Sequence, residues 1–116
     1  MSGSTAYVLP GLRSPFSKID RELSGLDALE LSAPVIQQTV AGERGPGRER
    51  AREIDLVLWG AVIPSLSVSN WGREAWFDSG LDESVPAQSI VQACATSLAA
   101  ATNSTSGTQL GSQNIS

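Results

Sequence analysis

The chain has 116 residues, a formal net charge of −4, one cysteine and no histidine. This length allows one domain at most. The negative net charge argues against nucleic acid or an anionic membrane as the main partner. A single cysteine excludes an intramolecular disulfide and suits a reducing compartment. No segment approaches the ~18 to 20 apolar residues of a membrane span, and the first residues lack the pattern of a secretory signal or transit peptide, so we expect a soluble cytoplasmic chain.

The first third of the chain predicts a short strand, a loop and a helix. Residues 6–9 (AYVL) precede a Pro-Gly turn signal and have the composition of a strand. Ser24 and Asp27 have the spacing of a capping box. Apolar residues then recur at intervals of four, three and four along one stripe: Leu29, Ala33, Ile36 and Val40. We predict a helix over residues 26–40, bent at Pro34 because proline removes one backbone hydrogen bond.

The middle of the chain predicts an exposed connection and then a buried strand. Residues 42–53 (GERGPGRERARE) combine glycine, proline and charges of both signs, which is typical of a solvated loop rather than a binding patch. Residues 54–62 are nearly all apolar, as expected for a strand of a parallel sheet that is covered on both faces.

A second helix is predicted after this strand. Ser69 or Asn70 can cap its start, and Gly80 can end it in the left-handed conformation. Arg73 and Glu74 lie on this helix, and we assign both a structural hydrogen-bonding or ion-pair role rather than a catalytic one. Strands that alternate with helices of this length favour βαβ units and a parallel sheet.

The cysteine, Cys94, lies where the composition changes from strand-forming to helix-forming. Residues 89–91 (SIV) suit a buried strand, and the alanine-rich residues 95–101 favour a helix, for which Thr96 or Ser97 can serve as cap. A cysteine at such a junction lies near free backbone N–H groups and the positive end of the helix dipole, which suits a nucleophile. A small buried hydrophobic residue is the alternative, and position alone leaves the two interpretations open.

The last residues, 102–116, differ in kind from the rest of the chain. Serine, threonine, asparagine, glutamine and glycine dominate, with only Leu110 and Ile115 to bury. This composition predicts a disordered tail.

The cysteine segment VQACATSLAA, residues 91–100, resembles the nucleophile motif of the thiolases, in which an acylated cysteine begins a buried helix. The β-ketoacyl synthases share that fold and a similar string, so the other blocks decide between the two families. Four further blocks resemble the thiolases in order and spacing: RSPF at 13–16, IDLVLWG at 54–60, SNWGREA at 69–75 and GLDESVPA at 80–87. The resemblance covers residues 6–101, and the sequences of these blocks are most similar to those of the thiolases of fatty-acid oxidation.

The resemblance implies an α/β fold for this chain. We expect a partial thiolase-like βαβαβα half-domain with a three-stranded, mainly parallel sheet, in which residues 1–101 form a truncated thiolase N-terminal domain and 102–116 the disordered tail. Family members continue beyond the cysteine helix with further strands and a second domain, so we expect a truncated gene model, a shifted reading frame or an alternative transcript.

The resemblance also implies the chemistry. Cys94 would be the nucleophile that accepts the acyl group as a thioester, with coenzyme A thioesters as substrates, as in the acetyl-CoA acyltransferases; no bound cofactor and no metal site are expected. The family's Gly-His-Pro histidine, its second cysteine in Cys-x-Gly and its Asn-Glu-x-Phe-Ala segment do not occur in this sequence. The only lysine is Lys18, and nothing in the sequence brings it near the cysteine. We therefore expect the chain to be inactive alone.

Three other interpretations remain. The chain can be a non-catalytic fragment that associates with full-length thiolase subunits, a β-ketoacyl-synthase-like fragment, or a stand-alone cysteine acyl carrier or redox protein. The blocks at 13–16 and 70–75 disfavour the synthase, and the absence of histidine and of Cys-x-x-Cys disfavours the last. Poorly covered strand edges also predict self-association into a homo-oligomer.

Overall fold

The computed structural model describes residues 5–42, 53–63 and 65–110, with side chains through residue 105. It has the α/β architecture predicted from the sequence, with a two-stranded parallel sheet. The elements in chain order are helix α1 (Ala28–Ala41), strand β1 (Val57–Gly60), helix α2 (Trp71–Asp78), strand β2 (Ala87–Ile90), a 3₁₀ turn (Ala93–Ala95) and helix α3 (Thr96–Leu110).

The sheet is a parallel pair in which Val57 lies opposite Ala87 and Gly60 opposite Ile90. Helix α2 connects the two strands, which makes β1–α2–β2 the βαβ unit that the alternation of elements predicted. Because the strands are parallel and in this register, their carboxyl ends lie at the same edge of the sheet. The chain leaves β2 at that edge and enters the segment that carries the cysteine.

The predicted strand at residues 6–9 is not formed in the described residues, and the prediction of a three-stranded sheet is not supported. Residues 5–18 have no regular secondary structure, and the side chains of residues 5–13 are exposed, with Val8 at 100% and Tyr7 at 82%. A strand is stable only when its backbone groups pair with a neighbour. Strand-forming side chains are therefore present here without a paired strand beside them in the described structure.

Helix α1 begins one turn later than its predicted cap. Asp27, rather than Ser24, is the N-cap: the Asp27 carboxylate accepts from the Glu30 backbone N–H at 2.8 Å, and the Glu30 carboxylate accepts from the Asp27 N–H at 2.7 Å. The two reciprocal bonds make a capping box in the usual Asp-x-x-Glu form. Pro34 lies inside the helix, as predicted, and Gly42 closes it with φ at +55°.

Helix α2 agrees with its prediction. Asn70 is the N-cap and its side-chain oxygen accepts from the Arg73 backbone N–H, while Gly80 follows the helix with φ at +69°. Only glycine adopts that left-handed conformation without a steric cost from Cβ.

The hydrophobic core lies between α1, α2 and the segment that leads into β2. Its buried members are Ile36, Ala75, Trp76, Leu81 and Val85, with Leu29, Val40, Ile54, Val57 and Trp59 packed against them. Trp76 is the largest fully buried side chain, and its indole N–H donates to the Asp82 carbonyl at 2.6 Å. This bond removes the cost of burying an unpaired indole N–H.

Helix α3 extends into the segment for which a disordered tail was predicted. It is helical through Leu110, and residues 111–116 lie outside the described residues. Hydroxyl groups on its surface donate to carbonyls about one turn back, as Thr105 does to Ala101 at 3.0 Å, so polar residues find partners within the helix itself. Most of the predicted loop at 42–53 also lies outside the described residues. None of the helices in the described part of the chain combines the length and apolar character needed to cross a membrane.

Replacing Trp76 tests the core. Trp76→Ala is expected to lower the free energy of unfolding by about 3–5 kcal/mol, because a buried side chain is lost and a cavity remains. The total free energy of unfolding of a small domain is only about 5–15 kcal/mol. Urea denaturation followed by circular dichroism should therefore show a large shift in the unfolding midpoint. Leu98→Ala removes an apolar side chain that is 72% exposed, and we expect it to change stability by no more than about 0.5 kcal/mol. Equal losses in the two variants would contradict this description of the core.

Candidate functional site

Cys94 lies at the strand-to-helix junction that the sequence predicted. Strand β2 ends at Ile90, two residues connect it to the 3₁₀ turn, and α3 begins at Thr96, two residues after the cysteine. The thiol is free and the residue is exposed. The interpretation of Cys94 as a small buried hydrophobic residue is therefore wrong for the described structure.

The residue before the cysteine has an unusual backbone conformation. Ala93 has φ at +46°, in the left-handed region. For an L-residue this conformation costs roughly 1–2 kcal/mol because Cβ crowds the following carbonyl. Such a residue persists only where its surroundings over-determine the backbone, and strained residues cluster beside functional side chains. Here the neighbouring side chain is the thiol of Cys94.

Thr96 supplies the contacts that hold this turn. Its hydroxyl oxygen accepts from the Gln92 backbone N–H at 2.9 Å, and its O–H donates to the Ala93 carbonyl at 2.7 Å. Thr96 has helical dihedral angles and only 3% of its surface is exposed. The sequence predicted that Thr96 or Ser97 would cap the helix. The hydroxyl of Thr96 does bond to the backbone in front of α3, but from inside the first turn rather than from the N-cap position.

Gly60 allows α3 to begin close to the sheet. It ends β1, and a Cβ atom built there would overlap the Thr96 side-chain methyl, Cγ2. The start of α3 therefore lies against the carboxyl end of β1, at the edge where ligands commonly bind in open parallel sheets. The sequence showed the glycine after an apolar strand, but nothing in the sequence indicated that threonine 96 would be its neighbour.

A second set of polar contacts ties α2 to β2 just before the cysteine. The Asn70 side-chain oxygen accepts from the Ser89 hydroxyl at 2.7 Å, and the Ser89 oxygen accepts from the Gly72 backbone N–H at 2.8 Å. The Asn70 amide donates to the Ala87 carbonyl at 3.3 Å. A Cβ atom on Gly72 would lie 2.7 Å from the Gln88 carbonyl oxygen, so glycine is required for this close approach of helix and strand.

Arg73 has the structural role that was predicted for it. Its guanidinium donates to the Val85 carbonyl at 2.6 Å and to the Glu83 carbonyl at 2.7 Å, and it lies 4.1 Å from the ring centroid of Phe77. These contacts fix the connection between α2 and β2. Glu74 is exposed on the same helix.

Among the described residues, no acid or base side chain is hydrogen-bonded to Cys94. No histidine occurs in the sequence, and no hydrogen bond joins Lys18 or another described side chain to the thiol. The described residues contain no cluster of three or more potential metal ligands.

A cavity of about 220 Å³ lies elsewhere, between the loop after the N-terminal segment and α1. Its lining is mostly apolar and includes Leu12, Pro15, Leu26, Leu31, Pro34 and Val35. None of its lining residues comes from β1, β2 or α3. The cavity is therefore separate from the turn that carries the cysteine.

Comparison with known proteins relates the chain to one family. The sequence profile described as the thiolase N-terminal domain matches residues 6–116. The 3-ketoacyl-CoA thiolase of Shewanella halifaxensis is 29% identical over 114 residues, which is 97% of this chain and 25% of that protein. A 3-ketoacyl-CoA thiolase of Shewanella sp. strain ANA-3 is 31% identical over 102 residues, covering 87% of this chain and 22% of the relative. The protein of the same name from Vibrio cholerae serotype O1 is 30% identical over 114 residues, 98% of this chain and 25% of its own length. The chain thus spans about a quarter of the curated relatives that it matches.

Replacing Ala93 with glycine tests the strained turn. Ala93→Gly is expected to raise the free energy of unfolding by up to about 1 kcal/mol, because glycine adopts a positive φ without the Cβ clash. Ala95→Gly, in the same turn but without a positive φ, is expected to lower it by about 0.5–1 kcal/mol. Thermal and urea denaturation measure both changes. The same sign of change in both variants would show that Ala93 is not strained.

Ser89→Ala tests the contacts between α2 and β2. It removes the acceptor of the buried Gly72 N–H, and we expect a loss of about 1–3 kcal/mol in the free energy of unfolding. Ser67→Ala is the matched control, because Ser67 is exposed and such a change costs no more than about 0.5 kcal/mol. Urea denaturation of the two variants side by side measures the difference, and a loss at residue 89 as small as at residue 67 would argue against this network.

Proposed function

The chain belongs to the thiolase family, and we propose that it carries the nucleophile of a thiolase-type acyltransferase, with Cys94 as the residue that accepts the acyl group. The observation that supports this role is the exposed Cys94 in the turn just before the N-terminus of α3, next to Ala93 with its left-handed backbone conformation. A nucleophile has to be reachable by the carbonyl carbon and fixed in direction. The turn meets both requirements.

The proposed half-reaction is a thioester exchange. The Cys94 sulfur attacks the carbonyl carbon of an acyl-CoA and forms a new sulfur–carbon bond. The tetrahedral intermediate then collapses, the bond between the acyl carbon and the coenzyme A sulfur breaks, and coenzyme A leaves as a thiol with the proton that the cysteine gave up. Atoms and charges balance without an oxidant, a metal or a bound cofactor.

A full catalytic cycle needs groups that these 116 residues do not contain. A general base contributes roughly 10²–10⁴ in rate and one oxyanion-hole donor roughly 10²–10³. Without histidine or a second cysteine, the chain has none of the side chains that the resemblance assigns to proton transfer. We therefore propose that the chain accepts an acyl group but does not turn over alone, and that the remaining groups come from further thiolase sequence.

Substrate, partner and compartment follow from the same proposal. The relatives are named 3-ketoacyl-CoA thiolases, so we propose 3-ketoacyl-CoA and coenzyme A, the thioesters of fatty-acid oxidation, as substrate class. The exposed apolar residues of the N-terminal segment, Tyr7, Val8 and Leu9, support association with a thiolase subunit or a second copy. A free exposed thiol supports a reducing compartment, for which we propose the cytoplasm.

Incubation with acyl-CoA tests the nucleophile. Intact-mass measurement of the chain with excess acetyl-CoA should show a single acyl adduct, located at Cys94 by peptide mapping and absent from Cys94→Ser. With acetoacetyl-CoA and coenzyme A, the decay of the substrate's absorbance should stay at the background rate, because proton transfer is not supported.

Two outcomes would contradict the proposal. An adduct that persists in Cys94→Ser would mean that another side chain accepts the acyl group. Multiple turnovers that disappear in Cys94→Ser would mean that the chain contains its own acid and base groups, contrary to its composition.

A further inference from the structure

We infer that Thr96 is a positioning residue for acyl transfer, because its hydroxyl holds the backbone turn that presents Cys94. This inference rests on the proposed function of Cys94 as nucleophile. Thr96 itself does not touch the reacting atoms. It acts through the two residues that precede the cysteine.

The Thr96 hydroxyl group accepts one hydrogen bond and donates another. It accepts from the Gln92 N–H at 2.9 Å and donates to the Ala93 carbonyl at 2.7 Å. These two backbone groups flank the Gln92–Ala93 peptide unit, so the bonds fix that unit in place. The left-handed φ of Ala93, +46°, is therefore held by one side chain two residues after the cysteine.

The methyl group of the same side chain fixes the hydroxyl. Thr96 is 3% exposed, and its Cγ2 atom occupies the space that a Cβ on Gly60 would need. A β-branched side chain has few rotamers, and this contact with the end of β1 leaves the Thr96 hydroxyl facing the turn. The sheet thus positions Thr96, and Thr96 positions the cysteine turn.

The hydrogen bonds of Thr96 affect the orientation of the Cys94 thiol more than its exposure. A nucleophile displaced by about 1 Å can lose roughly 10²-fold in rate, and functional side chains depend on the residues that hold them. A thiol that stays exposed still reacts with a small reagent that approaches from many directions. Acylation by a large thioester should therefore respond to Thr96 more strongly than alkylation does.

Three variants of the full chain separate these effects. Thr96→Val keeps the shape and loses both hydrogen bonds, and Thr96→Ser keeps the hydroxyl. Thr105→Val removes a hydroxyl that bonds only within α3, to Ala101, and is the matched control. For each variant, intact mass gives the rate of Cys94 acylation by acetyl-CoA and the rate of alkylation by iodoacetamide, and circular dichroism confirms folding.

We expect Thr96→Val to slow acylation by about 10- to 100-fold and alkylation by less than about threefold. Thr96→Ser should restore acylation to within about threefold of the parent chain, and Thr105→Val should leave both rates unchanged. Gly60→Ala provides a second route, because it retains the hydroxyl but displaces Thr96 through its methyl group. It should slow acylation as Thr96→Val does, which keeps the test decisive where Thr96→Val fails to fold.

Equal acylation rates in Thr96→Val and Thr96→Ser would overturn the inference while leaving Cys94 as nucleophile. Equal losses of acylation and alkylation would also overturn it, since they indicate a general loss of structure or access. A parent chain that forms no acyl adduct at Cys94 while iodoacetamide still alkylates it would instead refute the proposed function, and the role of Thr96 with it.

Discussion

The parallel pairing of β1 with β2 is the constraint on which the rest of the described structure depends. It brings the carboxyl ends of both strands to one edge, where Gly60 lies opposite Ile90. The chain that leaves β2 must then turn sharply, because α3 begins against the end of β1 and not in line with β2. The absence of a side chain on Gly60 makes room for that start. The turn that carries Cys94 is a consequence of this geometry, and the core formed with α1 and α2 keeps the strands in place.

In this turn, the backbone strain at Ala93 and the stabilisation from the Thr96 hydrogen bonds are both small and nearly balanced. The left-handed Ala93 costs roughly 1–2 kcal/mol, and each hydrogen bond of the Thr96 hydroxyl contributes about 0.5–1.5 kcal/mol net. Two such bonds together contribute about 1–3 kcal/mol, which is comparable to the strain at Ala93. The Thr96 hydroxyl makes both bonds, and its burial keeps water from competing for the same backbone groups. Serine and threonine can do both with a single hydroxyl group.

The sequence predicted those parts of the fold that depend on local chemistry. A helix cap at Ser69 or Asn70, the left-handed Gly80 and the position of Cys94 between strand and helix follow from residue type and spacing. The structure confirms them, with Asn70 as the cap. Prediction from the sequence failed where contacts between residues far apart in the chain determine the structure. Residues 6–9 have strand-forming side chains but no paired neighbour in the described structure, and the capping box formed at Asp27 because Glu30 completes it better than the earlier Ser24–Asp27 pair. The contact between Gly60 and Thr96 joins residues far apart in sequence, which no local pattern reveals.

The exposure of Cys94 has a chemical consequence for the acyl adduct. A water-excluded site strengthens the electrostatic stabilisation of an oxyanion and prevents hydrolysis of a reactive intermediate. Cys94 is exposed in the described residues, so a thioester formed there under the proposed function would be open to water as well as to coenzyme A. Concentrated water then competes with the thiol that should accept the acyl group. Fixing the direction of the nucleophile is thus only one requirement for acyl transfer. Exclusion of water from the thioester is the other requirement.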